Sequence, residues 1–125
     1  MPGSYLSARL RSFGHAFRGL KLLLQTQHNA RIHALATVLV AAAGALAGLS
    51  PAEWALIALA ATGVWVAEAL NTSIEFLVDL VSPGQHPLAG RAKDVAAGAV
   101  LVAAIGSVVV GGLVFGPHLL KLLQR

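Results

Sequence analysis

The sequence contains no cysteine and few charged residues. Without cysteine the chain forms neither a disulfide nor a thiolate metal site. Charged residues make up 11% of its 125 residues, whereas a soluble domain carries about a quarter. Hydrophobic residues reach 57%, and the mean hydropathy is +0.76. The composition therefore predicts an integral membrane protein with no separate soluble domain.

Several sequence motifs are also missing. There is no GxxxxGK[ST] segment and hence no P-loop, and the five histidines show no metal-ligand spacing. The net charge of +4 would suit nucleic acid, but the basic residues stand just before apolar stretches. Anionic lipid headgroups explain that placement better. We therefore expect a lipid bilayer as a partner and no nucleic acid.

Three apolar stretches are each close to the ~20 residues that cross a bilayer core. Lipid leaves unpaired backbone groups unsatisfied, so residues 32–49, 53–81 and 92–116 are predicted transmembrane helices. In residues 4–28, apolar side chains recur at steps of three and four between basic ones, which predicts a helix lying in the interface. The fold class is thus an all-α integral membrane protein, one membrane domain over residues 1–125.

The basic residues also predict the topology. The connection between the first two predicted spans has none, whereas the next connection carries Arg91 and Lys93. The segment before the first span is rich in them: Arg9, Arg11, Arg18, Lys21 and Arg31. The positive-inside rule places the N-terminus and the second connection in the cytoplasm. We expect Pro117 to end the third span.

The segment VAEALNTSIEFLVDLV, residues 66–81, carries acids inside a predicted span. At 100° per residue, Glu68, Asn71, Glu75 and Asp79 fall within an arc of roughly 80°. An ionised carboxylate facing lipid costs on the order of 2.5 to 3.5 kcal/mol. The stripe must therefore face a protein interior, a water-filled cavity or a cation. The candidate cations are a divalent metal and three side chains: Arg31, Arg91 and Lys93. A structural ion-pair cluster is the alternative.

The segment GQHPLAGRAKDVAAGAVL, residues 84–101, combines a glycine-containing turn with basic residues before a helix start. Backbone N–H groups at a helix start, with Lys and Arg beside them, form a phosphate site. Carboxylates hold Mg²⁺, and Mg²⁺ holds phosphates. These are the groups that phosphoryl transfer requires, since its catalysis is largely positioning and charge stabilisation.

Three blocks of the chain resemble the prokaryotic diacylglycerol kinase and undecaprenol kinase family, which are small three-span membrane kinases. They are EALNTSIEFLVD, HPLAGRAKDVAAGAVL and SFGHAFRGLKLLLQTQHNARIH, and the likeness covers most of residues 12–105. The resemblance implies a homotrimer in the bacterial cytoplasmic membrane. It also implies that MgATP phosphorylates a lipid hydroxyl at the membrane surface, in sites shared between subunits. The blocks favour undecaprenol over diacylglycerol.

The resemblance also implies residue roles. Glu68 would be the general base for the lipid hydroxyl, and Glu75 would bind the metal, about 10 Å further along the helix. Cofactor-binding roles would fall to His15, Asn71, Gly84, Gln85, His86, Lys93 and Asp94. The family pattern T-E-R-N has a glutamate as second metal ligand, whereas this chain has Gln27. Its neutral carbonyl oxygen would hold Mg²⁺ less strongly.

Two other functions suit an acid stripe in membrane helices. One is a proton or cation conduit, because such stripes also form relays. The other is a non-catalytic helical subunit of a larger assembly. The RAKD segment beside a glycine-containing turn favours the kinase, since a relay does not need a phosphate site.

Overall fold

The computed structural model describes residues 3–125, with side chains from Tyr5 onward. It contains four helices: α1, Gly3–Thr26; α2, His28–Ala47; α3, Pro51–Val81; and α4, Pro87–Leu123. Helices α2, α3 and α4 are each long and apolar enough to cross a membrane. The predicted all-α membrane fold is therefore confirmed. Met1 and Pro2, part of the predicted domain 1–125, lie outside the described residues.

Helix α1 is joined to α2 by one residue and fixed by Arg31. The Arg31 guanidinium donates to the carbonyls of Leu24 at 3.0 Å and Gln25 at 2.9 Å, in the last turn of α1. Those carbonyls have no partner inside the helix, so a basic side chain stabilises this end. Leu23 is buried nearby. Arg31 thus serves the end of α1 and is not the cation of the acid stripe.

The connection between α2 and α3 is short and tightly packed. Gly48 ends α2 in the left-handed conformation, with φ of 68°, which favours glycine. Ser50 and Glu53 then form a capping box: the Glu53 N–H donates to Ser50 Oγ at 3.2 Å, and the Ser50 N–H donates to the Glu53 carboxylate at 2.8 Å. Gly44 lies against the Trp54 ring, where an added Cβ would come within 2.6 Å of a ring carbon.

Helices α3 and α4 form the most extensive helix pair and run antiparallel. At one end an apolar cluster contains Leu49, Ile57 and Val114. Beside it His118 Nε2 lies 2.9 Å from Glu53 Oε1 and joins the start of α3 to the end of α4. The other end holds the polar side chains of the stripe.

The helix bounds differ from the predicted spans mainly in α4. This helix begins at Pro87 rather than 92, so Arg91 lies on the helix together with Lys93 and Asp94. The prediction that Pro117 ends the helix is wrong, since α4 continues to Leu123. A proline inside a helix removes its own N–H donor and crowds the carbonyl four residues earlier, and membrane helices tolerate both effects because neighbouring groups satisfy the freed backbone.

Candidate functional site

A polar cavity of about 340 Å³ lies between α2, α3 and α4. Its polar lining comes from Asn29 and His33 on α2 and from Glu68, Asn71 and Glu75 on α3. The α4 wall is made of alanine, valine and leucine side chains. Three members of the predicted acid stripe therefore face one cavity inside the protein, which explains how an apolar helix carries them.

Three polar side chains on this part of α3 are buried and incompletely paired. Glu68 is 1% exposed, and Asn71 and Thr72 are also buried. Asn71 Nδ2 donates to Glu75 Oε1 at 3.1 Å. Within the described part of the chain, Glu68 Oε2, Asn71 Oδ1 and Thr72 Oγ1 have no hydrogen-bond partner. Each such buried atom costs about 1–3 kcal/mol. Two of them belong to residues that line the cavity, Glu68 and Asn71, so a polar ligand in the cavity would find hydrogen-bonding groups there.

The fourth stripe residue lies elsewhere. Asp79 pairs with Lys93 at 2.5 Å, and their side chains are 63% and 39% exposed. This pair borders a loop cleft of about 720 Å³ at the α3–α4 connection. The cleft brings together these predicted residues: Gly84, Gln85, His86 and Lys93. The carboxylates therefore do not form one ion-pair cluster. His33 lies near Glu68 but at a longer distance than in the Asp79–Lys93 pair, with 3.8 Å between His33 Nε2 and Glu68 Oε2.

Three predicted site residues lie away from both cavities. His15 is exposed on α1 and contacts Arg18. Asp94 is exposed on α4 and does not line the loop cleft. Gln27 joins α1 to α2, and its Nε2 donates to Thr26 Oγ1 at 3.2 Å. Asn29, two residues further on, lines the polar cavity instead. The roles of His15, Gln27 and Asp94 remain predictions.

Sequence reasoning missed the α2 side of the cavity. Asn29, His33 and Thr37 recur at steps of four residues and so share one face of α2. This face lies against α3, where Trp65 Nε1 donates to Thr37 Oγ1 at 3.1 Å. The same helical-period analysis that revealed the α3 stripe would have found this shorter one.

An apolar groove of about 410 Å³ adjoins the polar cavity. Its walls are mostly small or branched side chains, including Ala36, Val40, Ile57, Ala61, Val64 and Val108. His33 and Ala104 line both spaces, so the groove begins where the polar cavity ends. An apolar chain in the groove would carry its polar end toward Glu68.

A magnesium ion with a bound nucleotide fits these donors better than a protein-only metal site. In residues 3–125, no group of three His, Asp or Glu side chains converges as a metal site. Mg²⁺ usually takes one or two carboxylates and completes its shell with substrate phosphates and water. Glu75 is half-buried, and the unpartnered Asn71 Oδ1 is its neighbour. The donor set thus suits Mg²⁺ that arrives with phosphates.

Comparison with known proteins agrees with this chemistry. The family described as Prokaryotic diacylglycerol kinase matches residues 14–115. An undecaprenol kinase of Bacillus subtilis (strain 168) is 45% identical over 114 residues, which is 91% of this chain and 93% of that protein. A diacylglycerol kinase of Synechocystis is 45% identical over 113 residues, 90% of this chain and 65% of that protein. The diacylglycerol kinase of Escherichia coli (strain K12) is 27% identical over 109 residues, 87% of this chain and 89% of that protein.

The family match spans the α3 stripe, the loop cleft, all of α2 and α3 and most of α4. The undecaprenol and diacylglycerol kinases among the relatives are named for lipid substrates, and the polar cavity with its adjoining apolar groove suits such a substrate. The chain therefore belongs to the prokaryotic diacylglycerol kinase family and is a bacterial membrane lipid kinase.

Proposed function

We propose that this kinase transfers the γ-phosphoryl group of ATP to the primary hydroxyl of a membrane lipid alcohol, with undecaprenol favoured over diacylglycerol. The observation that carries the proposal is the burial and position of the Glu68 carboxylate. Glu68 is 1% exposed, and one of its carboxylate oxygens has no hydrogen-bond partner among the described residues. It lines the polar cavity beside His33, which also lines the apolar groove. A buried, unpaired carboxylate is costly for stability, and proton abstraction from a lipid hydroxyl gives it a function.

In the proposed reaction Glu68 accepts the hydroxyl proton as the alcohol oxygen attacks the γ-phosphorus. The new bond joins that oxygen to phosphorus, the bond from phosphorus to the bridging oxygen of ADP breaks, and ADP leaves. Mg²⁺, when bound, neutralises part of the negative charge on the phosphates. Glu75 would hold it through its carboxylate, which Asn71 orients by the 3.1 Å hydrogen bond. Glu68 and Glu75 are about 10 Å apart along α3, so the proton acceptor and the metal site occupy different depths.

The nucleotide would lie along the loop cleft. Lys93 supplies positive charge there, and Gly84, Gln85 and His86 form the adjoining wall. The same His86 caps α4, because its Nδ1 accepts from the Leu88 N–H at 3.1 Å. Lys93 pairs with Asp79 in the structure described, so nucleotide phosphates would compete with that carboxylate for the ammonium group.

The remaining predicted nucleotide contacts support an oligomer. His15 and Asp94 are exposed and line neither cavity. We propose a homotrimer in which such residues, and Gln27 as a metal ligand, reach the site of a neighbouring subunit. The N-terminus and the loop cleft would face the cytoplasm, as the distribution of basic residues predicts.

Undecaprenol is the preferred acceptor on two grounds. The Bacillus subtilis relative named undecaprenol kinase shares 45% identity over nearly the full length of both chains. The apolar groove also adjoins the polar cavity at His33 and Ala104. One apolar chain ending in a hydroxyl suits that arrangement.

A proton or cation conduit would need titratable side chains along the membrane helices, and most of their length has none. Residues 34–47, 54–67 and 95–117, which include most of the three membrane helices, carry no titratable side chain. A proton relay across the bilayer requires such groups at successive depths. The acids therefore serve one end of the helices rather than a path through them.

Phosphate transfer from labelled MgATP by the purified protein in lipid bilayers tests the proposal. Undecaprenol and diacylglycerol are supplied separately. We expect transfer to undecaprenol and a loss of about 10²–10⁴-fold in Glu68→Gln, the usual contribution of a general base. Glu53→Gln is the matched control, because glutamine also completes a capping box and Glu53 lies at the opposite end of α3. Full activity of Glu68→Gln would refute the assignment of the base.

A further inference from the structure

His33 occupies the boundary between the polar cavity and the apolar groove. Its imidazole lines both spaces and is 20% exposed. The Nε2 atom lies 3.8 Å from Glu68 Oε2, an oxygen that is buried and has no hydrogen-bond partner among the described residues. The proposed reaction assigns no role to His33, although its ring lies beside the proposed base.

The separation of 3.8 Å between these two atoms is informative. It is too long for a direct hydrogen bond, but one oxygen atom can lie about 2.8 Å from both, at the apex of a triangle. A hydroxyl group suits that position because it has one donor and two acceptor lone pairs. Its O–H would donate to Glu68 Oε2, and a lone pair would accept from the N–H of His33.

Several polar groups near His33 already take part in other hydrogen bonds. Thr37 Oγ1 already donates to the His33 carbonyl at 2.7 Å and accepts from Trp65 Nε1 at 3.1 Å. Asn71 Nδ2 donates to Glu75. The facing wall of α4 offers only apolar side chains. The His33 ring, with Nε2 at 3.8 Å from Glu68 Oε2, is therefore a donor placed to hold an alcohol oxygen.

We propose that His33 binds the acceptor hydroxyl together with Glu68, and so selects a primary alcohol whose apolar chain lies in the groove. This inference rests on the proposed function, in which Glu68 is the base. The bond from His33 holds the hydroxyl oxygen while its proton points at Glu68 Oε2. His33 thereby fixes the depth of the alcohol and leaves the nucleotide site unaffected.

The test separates alcohol binding from packing of the helices. His33→Leu removes the donor and keeps an apolar side chain, whereas His33→Gln retains an N–H donor. His118→Gln is the matched control, since it alters a histidine that contacts a glutamate at the far end of the helices. Three quantities are measured in bilayers: kcat/KM for undecaprenol, KM for MgATP, and the inhibition constant of an analogue of undecaprenol in which hydrogen replaces the hydroxyl.

We expect kcat/KM for undecaprenol to fall about tenfold in His33→Leu, as loss of one buried hydrogen bond to substrate predicts. His33→Gln recovers part of that loss, and His118→Gln behaves as wild type. In His33→Leu, KM for MgATP and the inhibition constant of the deoxy analogue stay within twofold of wild type. That combination supports the proposal, because a packing role would weaken the analogue as much as the alcohol.

Two results would overturn the proposal and leave the proposed function intact. One is wild-type kcat/KM in His33→Leu while Glu68→Gln is inactive. The other is an equal loss of affinity for the alcohol and its deoxy analogue. Failure of the wild-type protein to phosphorylate any lipid alcohol would overturn the proposed function itself, and His33 would lose its role with it.

Discussion

Asn71 offers the most direct test of how α3 organises the proposed metal site. Its Nδ2 donates to Glu75 Oε1 at 3.1 Å, and its Oδ1 is buried without a partner among the described residues. Asn71→Leu removes both polar atoms and keeps a branched side chain of similar shape. A hydrogen bond to a charged group contributes about 1.5–3 kcal/mol. If that energy is used to hold MgATP, KM for MgATP rises about 10- to 150-fold.

The assay is steady-state phosphate transfer in bilayers, with MgATP varied at saturating undecaprenol. Ser73→Ala is the control, because Ser73 is exposed on another face of α3 and its hydroxyl donates only to the Ala69 carbonyl at 2.9 Å. We expect no change in that variant. The double variant Asn71→Leu/Glu75→Gln should be no worse than Glu75→Gln alone, since the two side chains act through one bond. An unchanged KM in Asn71→Leu, or additive losses in the double variant, would refute the reasoning.

Three further predictions concern stability, measured as the free energy of unfolding in lipid or detergent. Thr72→Val removes a buried hydroxyl that has no partner among the described residues, so we expect about 1–3 kcal/mol of stabilisation; a loss of stability would mean that the hydroxyl is paired in the assembly. Gly44→Ala brings a Cβ within 2.6 Å of Trp54 and should cost about 1–3 kcal/mol, whereas Gly63→Ala, with nothing within 4 Å, should be neutral or stabilising. Arg31→Gln loses two charge-assisted bonds to carbonyls of α1 and should cost about 1.5–3 kcal/mol, detected also as faster proteolysis of α1.

The α3 side of the site could be predicted because it depends on local periodicity. Glu68, Asn71 and Glu75 share a helical face whatever the other helices do, and the cost of acids in lipid requires that face to be covered. The end of α3 at Val81 was also predictable from Ser82-Pro83-Gly84. Each of these inferences needed only the residues of one segment and a known physical cost.

What escaped prediction depends on contacts between segments. Asn29 and His33 are two of several polar residues near the start of α2, and only their position in the cavity that Glu68 lines makes them part of a site. Arg31 was a plausible partner for the acids, but α1 ends beside it and offers unpaired carbonyls. Lys93 was one of the predicted candidate cations, but the sequence did not indicate that it would pair with Asp79 rather than with Glu68 or Glu75. Tertiary packing decides such choices.

Exposure changes along α3 in the order that the proposed chemistry requires. Glu68 is 1% exposed, Glu75 is half-buried, and the Asp79 side chain is 63% exposed, over about 16 Å of helix. Proton transfer from an alcohol benefits from a dry site, where electrostatic interactions are stronger. A nucleotide with its metal must instead enter and leave through water. One helix that passes from a covered to an open environment supplies both conditions, since Glu68, Glu75 and Asp79 lie at different depths along α3. In the proposed reaction the phosphoryl group would be transferred where the two environments meet, between Glu68 and Glu75.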